Sequence, residues 1–164
     1  MDTGEKDTKQ YLTFKLADET FAVNVAKVRE ILDLISITKV PQTPDFMRGV
    51  INLRGSVVPV VDMRLKFGME ETEKTVDTCI IVLEVTIDGE TTIVGALADS
   101  VEEVVELEPG QIEPPPRIGM KLDTDFISGM GKLGEEFVII LDTDRIFTFE
   151  EVEALGEIGE PDAA

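Results

Sequence analysis

Five residues, Phe46, Gly49, Leu53, Val58 and Asp62, recur in the same order and spacing as Phe126, Gly129, Leu133, Val138 and Asp142, each 80 positions later. Upstream the shift shortens to 73: Val28, Glu30, Leu34 and Pro41 return as Val101, Glu103, Leu107 and Pro114, which implies an insertion of seven residues near 117–123. Each copy reads as strand, turn, strand, proline-containing loop, short helix and hairpin. A unit of roughly 60 residues with five short strands buries too little apolar surface to stand alone. The duplication therefore predicts two small β lobes packed on one core and related by an approximate twofold axis.

The best-matched stretch, residues 46–64, FMRGVINLRGSVVPVVDMR, also carries a difference between the copies, at its loop tip. Two apolar runs, 50–53 and 57–61, flank Arg54-Gly55-Ser56, so β-branched residues stand on either side of a glycine able to take positive φ. Pro59 lacks a ladder donor and belongs at a sheet edge, at a bulge or with its nitrogen facing outward. Across 46–67 the cations Arg48, Arg54, Arg64 and Lys66 face Asp62 alone, in a chain of formal charge −19. In the second copy Asn52-Leu53-Arg54-Gly55 becomes Lys132-Leu133-Gly134-Glu135, so only one copy carries an arginine at its tip. Glu30 supplies a carboxylate that could hold this arginine in a charge-assisted pair.

The remaining punctuation gives the other elements. Residues 11–16 and 21–23 read as strands around a turn, with Asn24 capping a short turn and 28–37 extended. Thr43-Pro44 followed by Gly49 has the N-cap, N1 and C′ pattern of a short helix. Residues 78–87 and 91–98 form a hairpin around Asp88-Gly89-Glu90 whose first strand, nearly all apolar, reads as central and lines the joint core. Residues 101–107 and 137–141 are further strands, and Thr148 to Glu151 matches a capping box that opens a C-terminal helix. The expected organisation is a disordered N-terminus (1–10), a domain at 11–155 with lobes at 11–75 and 76–147 and a helix at 148–155, and a disordered acidic tail (156–164).

Composition excludes several functions. With no histidine, the chain lacks the commonest acid–base residue and metal ligand. Cys79, the single cysteine, sits in the apolar run CIIVLEV and reads as a small buried strand residue. Asp142-Thr143-Asp144 opens like a calcium loop, but Phe147 stands where such a loop needs glycine. No phosphate-loop or dinucleotide glycine pattern is present. The excess of carboxylate opposes nucleic-acid binding, and 5% aromatic content opposes a single-strand stacking platform. No leader-like apolar segment opens the chain and no run is long enough for a membrane span, so a cytoplasmic location is expected.

These residues resemble the CheW chemotaxis coupling proteins across 11–155. The resemblance is carried by 14–16 with Phe21, by Val28-Arg29-Glu30-Ile31, by Thr43-Pro44, and above all by Gly49-Val50-Ile51-Asn52-Leu53-Arg54-Gly55 with the run 57–64. Gly95, Asp99-Ser100-Val101 and Gly129-Met130-Gly131 with Leu133-Gly134 complete it. It implies a mainly β fold of two SH3-like five-stranded barrels, no catalytic residues, no cofactor and no metal. It also implies an adaptor in signalling arrays, bridging the cytoplasmic tip of a chemoreceptor and the regulatory domain of the histidine kinase CheA, on the cytoplasmic side of the membrane. The receptor groove between the lobes maps onto Val28, Glu30, Ile31, Gly49, Arg54, Gly95, Val101 and Val104, while the kinase contacts have no residue-level assignment. Alternating valines such as Val28 and Val101 also fit plain core packing. A small-ligand-binding β protein using the same groove is the competing reading from another class.

Overall fold

The computed structural model describes residues 9–87, 89–115 and 126–146, and the expected C-terminal helix, the acidic tail and the insertion lie outside them. The chain is mainly β, with eleven strands named among these residues: β1 (Lys9–Leu16), β2 (Glu19–Asn24), β3 (Val28–Asp33), β4 (Met47–Leu53), β5 (Ser56–Asp62), β6 (Cys79–Ile87), β7 (Glu90–Ala98), β8 (Ser100–Leu107), β9 (Ile112–Glu113), β10 (Ile127–Leu133) and β11 (Glu136–Leu141). Single helical turns α1 (Met63–Lys66) and α2 (Thr143–Ile146) follow β5 and β11. Lys9 and Gln10, expected in a disordered N-terminus, begin β1 and pair with Leu107 and Glu106.

The strands form a five-stranded sheet ordered β3-β6-β7-β5-β4 and a six-stranded sheet ordered β8-β1-β2-β11-β10-β9. Position by position the orders match, with β3, β6, β7, β5 and β4 answering to β8, β1, β2, β11 and β10. The register repeats with the sequence. Met47 opposite Val61, then a bulge, then Gly49 opposite Val60, returns 80 residues on as Ile127 opposite Leu141, a bulge, and Gly129 opposite Ile140. The amide of Asp62 donates to the carbonyl of Phe46 (2.6 Å) as that of Asp142 does to Phe126 (2.8 Å).

The sheets do not divide the chain at residues 75–76, as the copies alone suggested. β1–β2, from the first copy, lies in the sheet of the second, and β6–β7, from the second, lies in the sheet of the first. Each copy thus exchanges its opening hairpin. The exchange is sealed by parallel pairs, Val60 beside Gly95 and Ile140 beside Ala22.

Alternation explains why these hairpins are apolar on both faces. Ile81, Leu83 and Val85 of β6 enter a core shared by both sheets, with Leu12, Phe14, Phe21 and Val23 from the other side. Ile80 and Val82 enter a second core within the five-stranded sheet, and Tyr11, Ala22, Leu107, Val138 and Ile140 fill its counterpart in the six-stranded sheet. Each sheet curls on its own small core: past β3 the chain lands Thr38 on Val50 of β4, and past β8 it lands β9 on β10. Cys79 is buried as expected. Phe14, Phe21, Phe67 and Phe126 run through the shared core with ring centroids 5.8–6.1 Å apart, and the Lys66 ammonium lies 4.7 Å from the Phe46 ring and 5.8 Å from that of Phe126.

Three local expectations are corrected. The helix expected at Thr43 to Gly49 is a turn: the amide of Met47 donates to the Pro44 carbonyl and β4 has already begun. Thr43 Oγ1 donates to the carbonyl of Val40 instead of capping. Strand β3 ends at Asp33, short of residue 37. Pro59 lies in a strand flanked on both sides, opposite Val50, but β7 pairs with β5 only from Val60 onward, so its missing donor costs no ladder bond there.

A chain ended after Lys74 should lack far-ultraviolet β signal, because its β3, β4 and β5 have no β6–β7 between them. Adding the complementary fragment should restore the signal. In the intact protein, amide exchange should be slowest across residues 80–85; rapid exchange there would contradict a joint core built on β6.

Candidate functional site

The β4–β5 turn is built from Arg54 and Gly55, both left-handed (φ 50° and 89°), as a two-residue hairpin on right-twisted strands requires. Asn52 Oδ1 accepts from the amide of Gly55 at 2.8 Å and holds the turn closed. From this tip Arg54 reaches β3, at the far end of the strand order, and both guanidinium Nη atoms donate to the two carboxylate oxygens of Glu30. The expected pair therefore exists, and it ties the two margins of the curled sheet. Hydrogen bonding from Arg54 outweighs the opposing desolvation and, with lesser contributions from the charges of Arg54 and Arg29, holds the Glu30 carboxyl below the usual glutamate range. The Arg54 side chain is 71% exposed, so its free edge faces solvent.

Val28 and Ile31 are three residues apart, which on a regular strand would put them on opposite faces. A bulge between Val28 and Glu30 absorbs the odd residue, leaving Val28 opposite Leu83 and Ile31 opposite Ile81, both of the shared core. The same device recurs on β8. Its register shifts so that Val101 lies opposite Phe14 and Val104 opposite Leu12, and Thr13 Oγ1 donates to the Glu103 carbonyl while accepting from the Glu103 amide. Both β3 and β8 end their sheets. Val28 and Val101 are half-buried against the shared core, whereas Ile31 (44% exposed) and Val104 (52%) continue the same faces into solvent.

Gly49 and Gly95 are placed differently from the other expected groove residues. Both are buried. A Cβ at Gly49, whose φ is +144°, would stand 2.1 Å from the Thr38 carbonyl oxygen, and one at Gly95 would meet Ile80 Cγ2 at 2.8 Å. They allow backbone and core to close beneath the site. Gly49→Ala should therefore lower the unfolding free energy measured by urea titration by roughly 2 kcal/mol or more, while Arg54→Ala leaves it nearly unchanged.

Sequence reasoning did not single out the anchor of the loop after α1. Asp62 is fully buried and accepts from Thr72 Oγ1 (2.7 Å), the Thr72 amide (2.9 Å), the Arg64 amide (3.0 Å) and Arg48 Nη1 (3.3 Å). Nor did it single out the exposed pair Val57 (41%) and Phe137 (48%), which a shift of 80 equates. Among the described residues no group of three or more acidic or cysteine side chains is placed to hold a metal ion.

Because the Glu30 carboxyl is depressed by its partner, the pair is intact above the ordinary glutamate range and is lost as pH falls through the lower folded value. The carboxyl carbon of Glu30, followed by NMR, should titrate at lower pH in the native protein than in Arg54→Ala. Equal midpoints would mean that the guanidinium does not hold the carboxylate in solution.

Against known proteins, the family described as CheW-like domain matches residues 10–151. Chemotaxis protein CheW of Klebsiella aerogenes is 36% identical over 149 residues, covering 91% of this chain and 87% of that protein. The protein of the same name from Rhizobium meliloti is 34% identical over 146 residues, covering 89% and 92%. The crystal structure of the scaffolding protein TtCheW from Thermoanaerobacter tengcongensis superposes with a TM-score of 0.76 at 35% identity, covering 87% of this chain and 90% of that one.

Proposed function

The chain belongs to the CheW-like domain family, and from that membership we propose that it is a non-enzymatic adaptor coupling chemoreceptors to the histidine kinase CheA. The observation that carries this reading is the pair of bulged edge strands. Each presents two apolar side chains on the face of the shared core and leaves the second open: Val28 with Ile31, and Val101 with Val104. A receptor tip is a helical hairpin, and an amphipathic helix needs an apolar track with a charged group to set its register. Arg54, held by Glu30 yet open on its outer edge, supplies that group.

The receptor-contacting residues in this reading are Val28, Glu30, Ile31, Arg54, Val101 and Val104, with Gly49 and Gly95 shaping the backbone beneath them. The kinase partner is its regulatory domain. The adaptor works in the cytoplasm at the membrane-associated array, and among the described residues no helix is long and apolar enough to cross a membrane.

Val104 is the sharper probe than Val101, whose side chain packs on the shared core. Val104→Asp and Ile31→Asp should keep the native circular dichroism and the affinity for the kinase regulatory domain while losing most of the affinity for a receptor hairpin fragment, since a carboxylate facing an apolar helix loses its hydration. Normal receptor binding by both variants would place the receptor elsewhere.

A further inference from the structure

The repeat lets the two lobes be compared position by position, and they differ at one end. In the five-stranded sheet Arg54 lies on Glu30, and beside it Arg29 pairs with Glu84 at 2.9 Å. In the six-stranded sheet Gly134 holds the place of Arg54, with the same left-handed backbone (φ 63°), and Glu103 holds the place of Glu30. Strand register equates Arg29 with Glu102 and Glu84 with Lys15. One pair is thus reversed in sign, and the other has lost its cation.

Beside Gly134 the surface opens into a cleft of about 350 Å³. Its wall carries the carboxylates of Asp18, Glu19, Glu102, Glu103 and Glu136 against the single ammonium of Lys15, and among the described residues none of these five carboxylates has an ion-pair partner. Phe137, 48% exposed, forms the apolar side.

We propose that this cleft is a socket for an arginine supplied by a protein partner, seated on Glu103 as Arg54 is seated on Glu30, with an apolar neighbour of that arginine against Phe137. The occupied counterpart specifies the ligand. There the carboxylate binds a planar guanidinium through both oxygens, a geometry that an ammonium cannot reproduce. The net charge of the chain favours a basic surface on whichever partner brings the arginine.

The test is an amide NMR titration of the full chain with acetyl-Leu-Arg-Gly-amide, its lysine and citrulline versions, and calcium chloride. The arginine peptide should shift the amides of Thr13, Glu103 and Phe137 saturably, the lysine peptide more weakly, and the citrulline peptide not at all. Glu103→Gln should abolish the shifts. So should Gly134→Arg, which supplies the arginine within the chain; a Cβ there meets nothing within 4 Å, and Arg54 already tolerates that backbone, so the melting temperature should hold. Equal binding of arginine and lysine peptides, binding unchanged in Glu103→Gln, or the same shifts from calcium at lower concentration would overturn the proposal.

Discussion

Everything in this molecule depends on two hairpins whose strands are apolar on both faces. β6 sends Ile81, Leu83 and Val85 one way and Ile80 and Val82 the other, so it belongs to two cores at once. β1 and β2 do the same from the opposite side through Leu12, Phe14 and Phe21 against Tyr11 and Ala22. A strand with period-two alternation cannot slip by one residue without exchanging these sets, and here both sets are buried. The two lobes are therefore fixed relative to one another by register. Polar ties at the crossings between sheets reinforce this: Asp99 accepts from the Ala17 amide at 2.6 Å, and Asp144 accepts from the Thr86 amide at 2.8 Å and from Lys27 at 3.1 Å.

With the hairpins central, β3 and β8 become the first strands of their sheets, and the apolar residues they carry lie at the border of the shared core. The bulge on each is what makes the border useful. Without it, Ile31 and Val104 would turn away from Val28 and Val101, and no apolar track would form. Ile31 and Val104 thereby stay exposed beside a half-buried apolar neighbour, the arrangement by which an apolar track differs from scattered surface residues.

Much of this was legible in the sequence, because a repeat in an aperiodic chain has few explanations. The equivalence of Phe46 with Phe126 and Asp62 with Asp142, the central position of β6, the buried Cys79 and the contact of Glu30 with Arg54 all follow from residue type and spacing. The exchange of hairpins did not follow, since local pattern shows that β6 is covered on both faces but not by which copy. The Thr43 signal misled for a related reason: its punctuation suits a helix, yet pairing of Met47 with Val61 claims the segment for the sheet. At the site, Gly49 and Gly95 were found as positions and not as roles, because the atom that a Cβ would strike lies far away in sequence.

The lysine between two phenylalanines has a consequence for the symmetry itself. Phe46 and Phe126 are equivalent residues, and one ammonium, that of Lys66, lies against both, so the twofold axis must pass close to it. A side chain at such a place cannot be duplicated faithfully, since its twin would need the same space and would bring a second like charge. The equivalent position is Ile146, which turns inward and is 1% exposed. The two halves of this chain were therefore obliged to diverge where they meet, and a substitution at the axis acts on both lobes at once.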